Sequence, residues 1–111
     1  MPQIAQDVYI DLPIRYNDRR DIPETLFFQV EDELTLRFGG STMIQQKNPL
    51  RGVWLFQNQR YIDEIVIVTT IDFGYQERSD SDSFFVECQE TLKQRFEQLD
   101  ILIIAQTVTV I

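Results

Sequence analysis

The sequence predicts a ferredoxin-like α+β fold of the split βαβ type, in which an antiparallel sheet carries two helices on one face. Three observations predict it. The N-terminal segment alternates like a half-buried strand, two amphipathic helical patterns flank a hairpin, and the C-terminal segment favours strand. In chain order these segments give the pattern βαββαβ, and the usual packing of that pattern makes the first and third strands central.

The first strand is predicted over residues 7–14, because apolar and other residues alternate there with period two. The first helix is predicted over residues 23–38. Asp21 is expected to cap it, Pro23 suits a first turn, and Gly39 with Gly40 can end it. Its apolar residues recur at helical spacing, at Phe27, Val30, Leu34 and Phe38.

The central hairpin is predicted from strands over residues 52–57 and 60–72, after a weak strand over residues 41–46. A turn at Asn58 and Gln59 would place Phe56 opposite Tyr61 and Trp54 opposite Asp63. The second helix is predicted over residues 80–99 and the last strand over residues 101–111. The apolar stripe of that helix consists of Phe85, Cys88, Leu92, Phe96 and Leu99.

Length and composition favour one α+β domain over residues 1–111, since 43% of the 111 residues are hydrophobic and can form a core. The single cysteine, Cys88, rules out an intrachain disulfide and fits a reducing compartment. No apolar run approaches the roughly 20 residues of a membrane span. The N-terminus lacks a secretory signal pattern. We therefore expect a cytoplasmic protein with no membrane partner.

The chain is acidic, with 18 Asp and Glu against 10 Lys and Arg and a formal net charge of −8. Nucleic-acid binders usually present a basic face, so no nucleic-acid partner is expected, although net charge does not exclude a local patch.

The absence of histidine excludes Ser-His-Asp and Cys-His catalysis and most zinc sites. We predict no catalytic residues, no metal site and no cofactor. Cys88 is interpreted as a core residue, and Glu77, Asp80 and Asp82 as helix-capping acids.

Three stretches carry a family resemblance: residues 36–42 (LRFGGST), 51–54 (RGVW) and 61–66 (YIDEIV). With them the chain resembles a group of small, functionally uncharacterised bacterial proteins that are common in cyanobacteria. The likeness extends from the first strand to the last. It implies a small ferredoxin-like α+β domain and brings no activity with it.

The hairpin is the candidate binding site, because it gathers residue types that are enriched at binding hot spots. We expect Arg51 or Arg60 to pair with Asp63 or Glu64. The alternative is that its aromatic residues only cover the edge and core of the sheet. The candidate residues are Arg51, Trp54, Arg60, Tyr61, Asp63 and Glu64.

Residues 65–68 within the third strand of the pattern and residues 101–105 within the last strand are apolar on both faces, whereas two helices can cover only one face of the sheet. An uncovered apolar face of several hundred Å² is unusual on a monomer. A second copy is the most economical cover, since twofold homodimers are the commonest oligomers. We predict a homodimer formed through the open sheet face or the hairpin, with another protein as the alternative partner.

Three hypotheses of function follow. The first is a non-enzymatic, homodimerising interaction module. The second is a small-molecule-binding or enzymatic dimeric α/β-barrel protein, with a pocket between sheet and helices that uses Tyr9, Trp54, Tyr61 and Asp63. The third is a metal-dependent nuclease of ferredoxin-like fold that uses Asp11, by analogy of fold alone.

Overall fold

The computed structural model describes residues 2–45, 50–76 and 81–111. Within these ranges six side chains fall outside the description: Leu50, Trp54, Phe56, Tyr61, Asp63 and Ser81. The helices and strands, in chain order, are β1 (Gln3–Pro13), α1 (Glu24–Phe38), β2 (Thr42–Ile44), β3 (Leu50–Phe56), β4 (Gln59–Asp72), α2 (Ser81–Arg95) and β5 (Ile103–Val110).

The strands form one antiparallel sheet in the order β5-β1-β4-β2, and β3 pairs with β4 as well. β2 lies beside residues 67–69 of β4 and β3 beside residues 59–65, so β2 and β3 together act as one interrupted second strand. β1 and β4 are central. The fold is therefore ferredoxin-like, and the predicted fold class is confirmed.

The alternating residues of the central strands decide which sheet face the helices cover. Val8, Ile10 and Leu12 of β1 are fully buried, and they belong to one core cluster with Val66 and Val68 of β4. The helices contribute Phe27, Val30 and Leu34 from α1, and Phe85, Leu92 and Phe96 from α2 and its C-terminal turn. The predicted alternation of β1 is confirmed at Val8, Ile10 and Leu12.

Both ends of α1 can be compared with the predicted caps. The predicted role of Asp21 is wrong: the N-cap residue is Pro23, which makes no side-chain capping hydrogen bond, and Asp21 pairs with Arg15 instead. At the other end Gly39 adopts a left-handed conformation, with φ of 92°, and its N–H donates to the Thr35 carbonyl at 2.8 Å. The predicted glycine stop is confirmed.

α2 ends at Arg95, four residues before the predicted end. Glu97 takes a positive φ of 52°, and the Gln98 N–H donates back to the Lys93 carbonyl at 2.9 Å. This is the hydrogen-bond pattern of a Schellman motif. It turns the chain before Leu99, which is 53% exposed and lies outside the core stripe in which it was predicted. The predicted start at residue 80 lies outside the described residues.

The hairpin turn consists of Gln57 and Asn58, whose φ values are 51° and 62°. Two-residue loops with positive φ at both positions match the twist of paired strands. The turn lies one residue earlier than predicted, so the predicted pairs Phe56–Tyr61 and Trp54–Asp63 are wrong. The backbone register instead places Trp54 opposite Tyr61, and Gly52 opposite Asp63. The register changes by two, which leaves each residue on its predicted face.

The hairpin extends past the rest of the sheet. β1 ends opposite Ile65 of β4, so residues 51–64, which we call the arm, form a two-stranded ribbon. The radius of gyration is 14.8 Å, whereas a compact chain of this length has a value of about 13 Å. The arm contributes to this elongated shape. No helix in the described ranges is both long and apolar enough to cross a membrane.

Candidate functional site

The predicted hairpin site is only partly described. Arg51, Arg60 and Glu64 all line one groove, whereas the side chains of Trp54, Tyr61 and Asp63 lie outside the described residues. Glu64 was predicted to pair with Arg51 or Arg60 within the hairpin, but it pairs with Arg15 instead. Its Oε2 accepts a hydrogen bond from Nη1 of Arg15 at 3.0 Å, so the carboxylate joins the arm to the loop after β1.

The groove has a volume of about 500 Å³ and lies between that loop and the arm. We call it the arginine groove. Among its lining residues are four arginines, two isoleucines and one glutamate: Arg15, Arg19, Arg51, Arg60, Ile14, Ile62 and Glu64. Four positive charges therefore face one carboxylate, in a chain whose net charge is −8.

Backbone hydrogen bonds hold the loop that carries Arg15 and Arg19. The Tyr16 N–H donates to the Arg20 carbonyl at 2.8 Å, and the Arg19 N–H donates to the Tyr16 carbonyl at 2.9 Å. Ile22 also donates to the Ile14 carbonyl at 3.0 Å, so the loop is closed at its base. These bonds fix the backbone from which both arginines project.

Arg20 belongs to the same loop but is engaged within it. Its Nε donates to Oδ2 of Asp18 at 2.5 Å, and its guanidinium lies 4.7 Å from the centre of the Tyr16 ring. The N–H and guanidinium of Arg20 hold the pKa of Asp18 below its ordinary value. Arg20 is therefore a loop-stabilising residue, and it does not line the groove.

Sequence reasoning missed Arg15 and Arg19 as site residues. They are far from the arm along the chain, and the basic residues looked scattered. A usable signal was present, because three of the eight arginines fall within residues 15–20. What the sequence does not show is that this loop lies beside Arg51 and Arg60.

The open face of the sheet is the second candidate surface. Asp11 lies on it, because its neighbours Ile10 and Leu12 are buried under the helices. Desolvation by burial raises the pKa of Asp11 above its ordinary value. Asp11, Pro13, Ile65 and Leu102 help to line a cavity of about 220 Å³ near the base of the arm.

The predicted nuclease chemistry finds no support in the described part of the chain, and the predicted core role of Cys88 agrees with its surroundings. No three His, Cys, Asp or Glu side chains among the described residues converge as a metal site, so nothing there supports a nuclease at Asp11. Burial raises the pKa of the Cys88 thiol to about 11, which leaves it protonated at neutral pH. Cys88 packs against the core, as predicted.

Of the four residues predicted for a pocket between sheet and helices, only Tyr9 has a described side chain, and it does not lie there. Tyr9 lies on the opposite face of the sheet, because it alternates with the buried Val8 and Ile10. The region under the helices contains the core cluster. A cavity of about 260 Å³ is present at the N-terminal end of α1, with Glu24, Phe27 and Met43 among its lining residues.

Comparisons with known proteins place the fold. No protein-family model matches the chain, and no curated protein matches it. A solved structure described as a phage SAM lyase in complex with S-methyl-5′-thioadenosine superimposes with a TM-score of 0.68. The match covers 96% of this chain and 88% of that one, at 13% sequence identity. At this identity the likeness shows a shared fold, which agrees with the ferredoxin-like topology of the sheet.

Proposed function

We propose that the chain is a self-associating interaction module in which a second copy covers the open sheet face. The observation that carries the proposal is the apolar character of that face. Residues of β4 and β5 that point away from the helices are half-buried or exposed in the single chain: Ile65, Ile67, Ile71, Ile104, Val108 and Val110. Burial of such a surface against another apolar surface is favourable.

The arm supports the same proposal. An isolated two-stranded ribbon is only marginally stable in water and needs a third strand or a packed face. The arm exposes Val53, Leu55 and Ile62, with exposed fractions of 50%, 73% and 55%. These side chains project on the same side of the sheet as Val66 and Val68, so a copy would reach them by a contact separate from the open face.

The area of the open face can be compared with that of a dimer interface. An eight-residue ladder of four strands spans about 27 Å by about 19 Å, or about 500 Å². A standard interface buries roughly 800 Å² on each partner. The open face is smaller than that, so the proposed contact over it is a small one.

The proposal predicts that wild-type protein is a dimer in sedimentation equilibrium at micromolar concentration. Ile104→Lys, on the open face, should shift it to monomer, because association would bury an unpaired ammonium. Leu36→Lys is the matched control on α1, where the side chain is 88% exposed, and it should leave the dimer intact. A wild-type monomer at about 100-fold higher concentration would refute self-association.

The structural neighbour motivates a second candidate function, the binding or turnover of a small molecule, for which the cavity beside Asp11 is the site that this chain offers. The neighbour holds S-methyl-5′-thioadenosine on the same fold. In this chain the cavity beside Asp11, at about 220 Å³, is smaller than the roughly 300 Å³ at which typical ligand sites begin. A second copy would have to complete it.

Titration calorimetry with S-methyl-5′-thioadenosine tests this candidate. We expect heat of binding in wild-type protein and a weaker signal in Ile104→Lys, because the monomer lacks the completed cavity. Binding that Ile104→Lys leaves unchanged would refute a site shared between copies. No heat at millimolar ligand would reject the nucleoside.

A further inference from the structure

We propose that the arginine groove binds a small molecule that carries a chain of two or three phosphates. The site is distinct from the open sheet face, and the proposal does not depend on self-association. It depends on three features of the groove: the number of its guanidinium groups, the shortage of acidic partners for them among the described residues, and its dimensions.

The concentration of charge is the first feature. Four of the eight arginines line this single groove, although acidic residues outnumber basic ones by 18 to 10 in the whole chain. Like charges held close together repel each other, so an empty groove of this kind is electrostatically unfavourable. A bound polyanion would convert that repulsion into attraction.

The second feature is the shortage of carboxylate partners. Within the described ranges, no ion pair or hydrogen bond involves the guanidinium of Arg19, Arg51 or Arg60. Arg15 alone is paired, with Glu64 at 3.0 Å and with the 88% exposed Asp21 at 3.4 Å. Among the described residues these three guanidinium forks have no acidic partner, and each can bind two oxygen atoms, which is how arginine recognises phosphate.

The third feature is size and shape. A volume of about 500 Å³ falls within the roughly 300–1,000 Å³ of small-molecule sites. Ile14 and Ile62 provide apolar lining for the organic part of a ligand, and the arginines come from both the loop and the arm. A nucleic acid would need a basic surface longer than one groove, and the acidic chain disfavours it.

Glu64 lies where it would compete with the ligand. Its carboxylate accepts a hydrogen bond from Arg15, and its negative charge would repel a phosphate in the groove. Replacement of this one carboxylate should therefore strengthen anion binding. A structural salt bridge with no role in binding would not have this effect.

Titration calorimetry at low ionic strength, with tripolyphosphate, pyrophosphate and orthophosphate as probes, tests the proposal. We expect affinity to rise with each added phosphate and to fall steeply with salt. Arg51→Gln and Arg60→Gln should each weaken tripolyphosphate binding by roughly tenfold or more, the size of one lost charge-assisted hydrogen bond. Arg37→Gln, on the exposed face of α1, makes the same change of charge and should have little effect.

Glu64→Gln should tighten tripolyphosphate binding several-fold, whereas Glu90→Gln, at an exposed pair with Lys93, should not. Circular dichroism verifies that each variant is folded. If either Arg51→Gln or Arg60→Gln fails to fold, the other variant still tests the proposal. The proposal is overturned by an absence of binding at millimolar tripolyphosphate, or by equal weakening in Arg37→Gln. Tighter binding of a DNA or RNA oligonucleotide through Arg51 and Arg60 would overturn the small-molecule assignment. Sedimentation of the same variants reports self-association separately.

Discussion

The side chain of Phe96 shows how single residues join the two helices. It follows α2, is fully buried, and its ring centre lies 5.4 Å from that of Phe27 on α1. Phe96→Ala should lower the free energy of unfolding by roughly 3–5 kcal/mol, because it removes apolar burial and leaves a cavity. Urea unfolding followed by circular dichroism measures the change.

Phe28→Ala is the matched control, since Phe28 is on α1 but 52% exposed. Phe28→Ala should lower the free energy of unfolding by well under half as much as Phe96→Ala does. Equal losses at the two positions would mean that burial does not determine their contributions.

Residue-scale burial could largely be predicted from the sequence, and the exceptions have physical causes. Val8, Ile10 and Leu12 alternate with Asp7, Tyr9 and Asp11, and that pattern alone identifies the buried face of β1. Leu99 continues the helical stripe in sequence but not in space. A backbone turn at Glu97 ends α2 first, and helical spacing carries no information about that turn.

At the scale of elements, the two helix ends make a direct comparison. Glu97 and Gly39 both follow a helix with positive φ, 52° and 92°, a conformation in which a side chain is disfavoured. Glu97→Gly should therefore raise the free energy of unfolding by about 1 kcal/mol, and Gly39→Ala should lower it by about 1 kcal/mol. Chemical denaturation of both variants measures the two changes in the free energy of unfolding.

The Gly39 variant isolates the backbone cost, because a Cβ placed there would meet no atom within 4 Å. Changes of the same sign in the two variants would show that side-chain contacts, rather than backbone conformation, determine stability at these ends.

The hairpin shows which part of an element the sequence leaves undetermined. Both strands are evident from their β-favouring residues, but the pair Asn58-Gln59 and the pair Gln57-Asn58 are about equally suitable as a two-residue turn. In the structure the turn consists of Gln57 and Asn58, which both take positive φ. The register therefore differs from the predicted one by two residues. Each side chain stays on its predicted face, so the wrong turn does not change which residues are assigned to the open face.

For the whole molecule, the sequence determined the topology better than the site. The order of strands and helices follows from local patterns, and few topologies accommodate it. The arginine groove depends on contact between Arg15 and Glu64, which are 49 residues apart. Net charge averaged over the chain conceals such a patch, because four arginines contribute little to a total of −8.

The carboxyl group of Asp11 on the open face should make dimerisation depend on pH. Because burial already raises the pKa of Asp11, the folded state binds a proton there more readily than the unfolded state does. The folded state is penalised above the raised pKa, and the penalty disappears as the pH falls through it. A second copy over this face would desolvate the carboxylate further, so proton uptake should also favour the dimer.

Self-association should therefore strengthen as the pH falls from neutrality toward the pKa of Asp11. Asp11→Asn should tighten the dimer at neutral pH and flatten this pH dependence, as measured by sedimentation equilibrium across a pH series. Asp32→Asn, at an exposed position of α1, removes the same net charge and should retain the slope. An identical response of both variants would attribute the pH dependence to overall repulsion between acidic chains, and would place Asp11 outside the interface.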